Sequence, residues 1–198
     1  MKTFLSIAFL SVSIGFAACS NNNNSSQESS AINSATTPEA TKTDNTGAQK
    51  STGTINDVVS HYLSLKNALT NDNGSEAASA AKEMGESLAK VDESSLTPDQ
   101  KKMYADIKDD IKEHAEHIGA NGSDIKHQRE HFDLLSKDMI DLINVTGSSL
   151  TLYKDFCPMY NNKKGASWLS ETKEIKNPYY GKGMPKCGIV KEEIKAKG

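Results

Sequence analysis

The sequence predicts a mainly α-helical fold, an antiparallel four-helix bundle followed by an irregular C-terminal segment that contains cysteine and methionine. Two observations support the bundle: apolar residues recur at helical spacing in four stretches between residues 54 and 147, and short polar turns separate them, as in antiparallel neighbours. Beyond Gly147 the helical periodicity disappears, so the tail is expected to fold irregularly against the bundle.

Caps and turns delimit the first two helices. Thr54, with Asp57 three residues later, is a variant of the capping box and predicts a helix start. The Asn-Asp-Asn-Gly sequence at 71–74 predicts the end of that helix. A second helix is predicted from Ser75, with an alanine-rich stripe that suits close packing.

The third helix has the clearest start, because Thr97 supplies a cap, Pro98 the first helical position and Gln100 the third. Glycines at 119 and 122 predict its end, and Ser123 is expected to cap a fourth helix that ends before Gly147. In the tail, 151–156 and 188–191 are candidates for short strands.

The N-terminus has the layout of a bacterial lipoprotein signal. Met1-Lys2 gives a positive start, residues 4–18 are apolar but too short to span a bilayer, and small residues precede Cys19. The cysteine resembles that of a lipobox, which implies a signal peptide at 1–18 and lipidation of Cys19. An ordinary cleaved signal with an incidental cysteine is the alternative.

Residues 19–53 are predicted to be a disordered tether, since 19 of these 35 residues are Ser, Thr or Asn. The folded domain is therefore assigned to residues 54–198. Four asparagines follow closely after Cys19, where lipoproteins exported to the surface of some bacteria carry acidic residues. We accordingly expect a periplasm-facing anchor, in the outer membrane.

Composition excludes several classes of function. With 23 Lys and Arg against 26 Asp and Glu, no excess positive charge is left to neutralise phosphates, so nucleic acid is not expected as a partner. No Ser-His-Asp set, glycine-rich phosphate loop or paired catalytic carboxylate occurs in a context that would give it a role. The sequence therefore predicts a protein that is not an enzyme.

The two remaining cysteines each lie within three residues of a methionine: Cys157 with Met159, and Cys187 with Met184. Thiolate and thioether together form a soft donor set, which suits Cu(I). The alternative is a disulfide between Cys157 and Cys187, which would close a loop of about 30 residues and contribute about 3–4 kcal/mol in an oxidising compartment. Spacing alone slightly favours the disulfide.

Motifs around these cysteines resemble an uncharacterised bacterial family. They are Cys157-Pro-Met159, Gly165-Ala-Ser-Trp168-Leu169-Ser170, Ile175-Lys-Asn177-Pro178-Tyr179-Tyr180-Gly181 and Met184-Pro-Lys-Cys187-Gly188. Members of that family are secreted or lipid-anchored, and the same domain occurs fused to periplasmic adaptor proteins of copper/silver efflux pumps. The resemblance covers about residues 55–192 and implies a heavy-metal efflux adaptor or another envelope protein as partner.

The cysteine motifs are also similar to the Cys-Pro-Met-His-Pro … Cys-Pro-x-Cys-Gly pattern of small heavy-metal-binding modules. Here Tyr160 replaces the histidine and Met184 the first cysteine of the second pair, which argues against a closed four-ligand zinc site but not against a Cys/Met site. These resemblances leave a metal-binding pair and a plain disulfide equally open. The expected function is a lipid-anchored periplasmic module that binds copper, and the alternative is a disulfide-stapled envelope interaction domain.

Four histidines flank the predicted turn between the third and fourth helices, and they form a possible second metal site. They are His114, His117, His127 and His131. Their near-symmetric spacing would place them at similar heights in an antiparallel pair, where imidazoles could bind Zn²⁺ or Cu²⁺. Helical angles favour one partly buried histidine, His114, and three surface histidines. Whether His117 and His131 face inward depends on the handedness of the hairpin, which the sequence does not show.

Overall fold

The computed structural model describes residues 54–197, and the predicted mainly helical fold is confirmed there. Four helices pack in sequence order: α1 at Ile55–Thr70, α2 at Gly74–Leu88, α3 at Pro98–Ala120 and α4 at Ile125–Thr146. A small antiparallel sheet follows, formed by β1 at Leu152–Cys157, β2 at Ala166–Ser170 and β3 at Ile189–Ile194. The signal peptide, Cys19 and the tether lie outside the described residues.

The helix ends follow the local capping chemistry. Thr54 and Asp57 form a capping box at α1, and Thr97 and Gln100 form a second at α3. At α4 the cap is Asp124 rather than the expected Ser123, because the Asp124 carboxylate accepts from the backbone N–H of His127 at 3.0 Å. The prediction for this helix start was therefore wrong by one residue.

The sheet has three strands in the order β2-β1-β3, where the sequence indicated two. The strands expected at 151–156 and 188–191 correspond to β1 and β3, while β2 was not predicted. A bulge between Lys154 and Asp155 interrupts the pairing of β1 with β3. Leu152 is buried before the bulge, and Asp155 and Cys157 are buried after it, so the bulge changes which residues face inward.

The core joins the helices to the sheet through Tyr62 of α1. Its fully buried hydroxyl group lies 2.8 Å from Ser136 Oγ of α4 and accepts from the backbone N–H of Leu169 in β2 at 3.1 Å. The Tyr62 ring stacks on Phe132 with centroids 5.3 Å apart. These contacts fix the sheet, and the cysteine at the end of β1, against α1 and α4.

None of the helices described between residues 54 and 197 is long and apolar enough to cross a membrane.

Candidate metal centres

The structure brings Cys157 and Cys187 together. Cys157 is the last residue of β1 and is fully buried, whereas Cys187 lies just before β3 and is partly exposed. Their Sγ atoms are 2.8 Å apart, with both residues in the free thiol form. Antiparallel pairing of β1 with β3 produces this contact, since Phe156, beside Cys157, pairs with Ile189, two residues after Cys187.

The neighbouring thiol changes the acidity of Cys187. The hydrogen bond with Cys157 raises the pKa of Cys187 to about 11, with burial and the nearby Cys157 charge acting in the same direction. A cation that binds this pair would therefore have to displace a proton held between the two sulfurs.

The two methionines of the predicted site lie on the surface around the cysteines. Met159 is 46% exposed and Met184 is 39% exposed. The backbone N–H of Cys187 donates to the carbonyl oxygen of Met184 at 3.2 Å, so the two residues share one tight turn. Of the four predicted ligands, Cys157 is therefore buried, Cys187 is partly exposed and both methionines are exposed.

Asn177 holds the second cysteine in place, a role that sequence reasoning missed. This fully buried side chain donates through Nδ2 to the carbonyl oxygen of Cys187 at 2.6 Å. Its Oδ1 accepts from the backbone N–H groups of Tyr179 at 2.8 Å and Tyr180 at 3.0 Å. The Asn-Pro-Tyr-Tyr-Gly motif is thus a turn whose asparagine positions Cys187.

Arg129 attaches the same turn to the helices. Its Nε donates to the carbonyl oxygen of Pro178 at 2.7 Å, and its guanidinium pairs with the Asp72 carboxylate. This hydrogen bond lowers the pKa of Asp72 below its usual range. Arg129 therefore bonds both to the helices and to the motif, and the bond to the motif could not be inferred from local sequence.

A cleft of about 650 Å³ lies beside the cysteine pair and is lined by Tyr160, Tyr179 and Tyr180 together with part of α4. Tyr180 connects the two regions, since its hydroxyl group donates to the carbonyl oxygen of Met159 at 3.0 Å. Asn161 and Asn162, on the rim, have φ values of 49° and 55° in the left-handed region. Neither the cysteines nor the histidines line this cleft.

The four histidines of the helical hairpin also come together, which differs from the arrangement that the helical angles favoured. His117 and His131 stack with ring centroids 4.3 Å apart, and His127 approaches His131 at 4.6 Å. His114 Nδ1 lies 3.2 Å from His131 Nδ1. One histidine is exposed, His117, and the others are partly buried.

The α3–α4 hairpin produces this cluster because two histidines from each helix share a face. His127 and His131 are four residues apart on α4, and His114 and His117 are three apart on α3. Gln128 fixes the approach of the helices, since its buried Nε2 donates to the carbonyl oxygen of Ile118 at 3.1 Å and to that of Gly74 at 2.9 Å. The handedness that sequence left open therefore turns both pairs toward each other.

Carboxylates border the cluster on two sides. His114 Nε2 lies 3.9 Å from Asp138 Oδ2, and His127 Nδ1 lies 3.9 Å from Glu130 Oε2. Burial lowers the pKa of His114 and of His131, so neither imidazole is readily protonated. Burial and neighbouring acids raise the pKa of Asp138 to about 6.

Two buried ionisable side chains, Asp155 of β1 and Lys66 of α1, were also missed by sequence reasoning. Asp155 is fully buried, and neither of its carboxylate oxygens has a hydrogen-bond partner among the described residues. Lys66, also fully buried, pairs with Glu171 through Nζ to Oε2 at 2.8 Å. Burial raises the pKa of Asp155 to about 7, despite the opposing charge of Lys66.

Residues 58–151 match the model of a family described as a protein of unknown function, DUF3347. The match runs from Val58 in α1 through α4 and includes all four histidines of the hairpin. It ends before β1, so the cysteine motifs that carry the family resemblance lie outside the matched residues. No curated protein and no solved structure matches the chain.

Proposed function

We propose that this chain is a lipid-anchored, periplasm-facing module that binds a soft heavy-metal ion, Cu(I), at the cysteine pair. The observation that supports the proposal is the contact between Cys157 and Cys187, whose sulfurs lie 2.8 Å apart although 30 residues separate them. Thiolates are the donors that Cu(I) prefers, and thioethers are compatible neighbours. The proposed role is binding and delivery of the ion rather than catalysis.

In this proposal the thiols carry the affinity and the methionines complete the site. Met159 and Met184 are exposed and lie within three residues of a cysteine in the chain, and we expect their flexible side chains to bring a thioether to the ion. An open outer side also suits transfer to a partner, for which a heavy-metal efflux adaptor is the proposed candidate. The lipid on Cys19 would keep the module near such a partner at the outer membrane.

The test is a competition titration of the reduced protein against a chromophoric Cu(I) chelator. Wild type should take up close to one Cu(I) per chain, and Cys157→Ser/Cys187→Ser should lose that uptake. Met159→Leu and Met184→Leu should weaken binding less, because only the thiolates bring negative charge to the metal. Equal uptake by wild type and the double serine variant would overturn the site.

A disulfide-stapled interaction domain is the second candidate, and the same short sulfur–sulfur contact favours it. In an oxidising compartment such a pair would close a 30-residue loop and contribute about 3–4 kcal/mol to stability. Thermal unfolding with and without reductant separates the candidates. A large loss of stability on reduction, together with no Cu(I) uptake by the reduced wild type, would select the disulfide.

The anchor has its own test, because it rests on the N-terminal sequence alone. Labelling with a fatty-acid precursor should tag the wild type, and Cys19→Ala should abolish the label. A label that persists in the variant would refute lipidation at Cys19 without affecting the metal proposal.

A further inference from the structure

We propose that His117, His127 and His131 form a second metal site, for a divalent ion of borderline softness such as Zn²⁺ or Cu²⁺, at the α3–α4 hairpin. The site is independent of the cysteine pair, since its ligands lie on two helices rather than in the sheet. One nitrogen from each of the three histidines lies within 4.8 Å of the other two. Among residues 54–197, no other group of three or more His, Cys, Asp or Glu donors lies within this distance of one another.

The distances are compatible with ligation after a small contraction. Tetrahedral zinc with Zn–N bonds of about 2.0–2.1 Å places its nitrogens about 3.4 Å apart. Separations of at most 4.8 Å therefore require each nitrogen to move inward by less than about 1 Å, which rotation of an imidazole about its side-chain bonds supplies. His117 is exposed, so it has room to make that movement.

The surroundings favour a bound cation. Glu130 approaches His127 and Asp138 approaches His114, each at 3.9 Å, so carboxylates stand outside the imidazoles on two sides. Glu130 is the one that lies beside a proposed ligand, and a small shortening of its distance to His127 would give the carboxylate–histidine contact that is common around metal-bound histidines. Lys137 pairs with Asp133 at 3.2 Å and Lys126 with Glu130 at 3.7 Å, so neighbouring lysine charges are partly compensated.

His114 acts in this site as a positioning residue. The Nδ1 atoms of His114 and His131 lie 3.2 Å apart. This contact occupies Nδ1 of His131, so Nε2 of His131 is the atom that would bind an ion. Asp138 in turn lies at the other nitrogen of His114. The contact of His114 with His131 is therefore the one that orients a ligand ring, while Asp138 at 3.9 Å acts on His114 through its charge.

Three nitrogen donors from the protein leave one tetrahedral position for water or another exchangeable ligand. Closed structural zinc sites instead use four protein ligands. With one exposed histidine and an open position, the site suits an ion that enters and leaves from solvent. The chemical class of the ligand is thus a hydrated divalent cation.

The experiment is a Zn²⁺ competition titration on the full chain carrying Cys19→Ala/Cys157→Ser/Cys187→Ser, which removes all three thiols as competing ligands. This background should bind close to one Zn²⁺ per chain. Since loss of an outer-shell partner alone costs about 10–100-fold in affinity, His117→Ala or His127→Ala should cost at least about 100-fold. His61→Ala is the matched control, because this histidine pairs with Glu83 on α1 and α2, away from the hairpin.

Equal affinity of His117→Ala and His61→Ala, or no Zn²⁺ binding by the thiol-free background, would overturn the site. Cu²⁺ gives a second measurement, since nitrogen hyperfine couplings in its electron paramagnetic resonance spectrum report bound imidazoles. Those couplings should decrease in His127→Ala and persist in His61→Ala. For His114→Gln, circular dichroism should be unchanged while the copper spectrum shifts; an unchanged spectrum would refute the positioning role of His114.

Discussion

Replacing Asn177 with alanine should strongly destabilise the part of the fold that carries Cys187. The wild-type side chain is fully buried and makes three hydrogen bonds, one to the carbonyl oxygen of Cys187 and two from the N–H groups of Tyr179 and Tyr180. Each buried partner left without a hydrogen bond costs about 1–3 kcal/mol. Because relaxation or water recovers part of this energy, we expect a loss of about 3–5 kcal/mol in the free energy of unfolding.

The assay is thermal unfolding by circular dichroism with reductant present, so that a disulfide does not mask the effect. A domain of this size loses about 2–4 °C of Tm per kcal/mol, which converts the expected loss into a decrease of about 6–20 °C. Asn121→Ala is the control, because it removes one exposed hydrogen bond, from Asn121 Nδ2 to the carbonyl oxygen of His117 at 2.8 Å. It should cost less than about 1.5 kcal/mol.

Asn177→Asp provides a second comparison. The carboxylate keeps an acceptor for Tyr179 and Tyr180 but has no N–H to donate to Cys187. Its stability should fall between those of wild type and Asn177→Ala if the two backbone N–H groups dominate. A decrease for Asn177→Ala no larger than that of Asn121→Ala would refute the assignment of Asn177 as the residue that positions Cys187.

Two further predictions concern buried charge and backbone conformation. Burial raises the pKa of Asp155 to about 7, so the folded state holds its proton more tightly than the unfolded chain, and stability falls as pH rises from about 4 to about 7. Asp155→Asn lacks this dependence. The free energy of unfolding of the variant, relative to that of wild type, should therefore increase between pH 4 and pH 7 by up to about 4 kcal/mol, and its Tm should rise relative to wild type. A difference that stays constant with pH would contradict the interpretation. Gly181 has a φ of 51°, and an added Cβ would collide with the Asp72 carboxylate and the Arg129 guanidinium. Gly181→Ala should therefore cost about 2–4 kcal/mol in urea unfolding, whereas Gly183→Ala, with open space around it, should stay within about 0.5 kcal/mol, and equal effects would exclude the collision.

The positions of the helices could be predicted because the signals that set them are local. The boxes of Thr54 with Asp57 and of Thr97 with Gln100 satisfy the first N–H groups of α1 and α3 from residues three positions away. Such contacts need no knowledge of the rest of the fold. The error at Ser123 has the same origin, since Asp124 is also a good cap and adjacent candidates cannot be ranked by residue type alone.

The strands were harder to predict because their pairing is not local. β2 at Ala166–Ser170 is short and almost entirely buried, so it lacks the alternation of polar and apolar residues that reveals a strand. The bulge beside Asp155 depends on the pairing of β1 with β3, and it decides that Cys157 faces inward. Sequence thus indicated the cysteine motifs, while strand register placed their sulfurs in contact.

The sequence by itself determined the four amphipathic helices, their turns and the residue types available for metal binding. Only the tertiary structure decided which of those residues meet. Helical periodicity assigns each histidine an angle about its own helix, but the handedness of the α3–α4 hairpin, fixed by the contacts of Gln128 with α2 and α3, decides that the imidazoles face each other. The physical reason is that capping and periodicity act within a few residues, whereas a ligand set is assembled by packing between elements far apart in the chain.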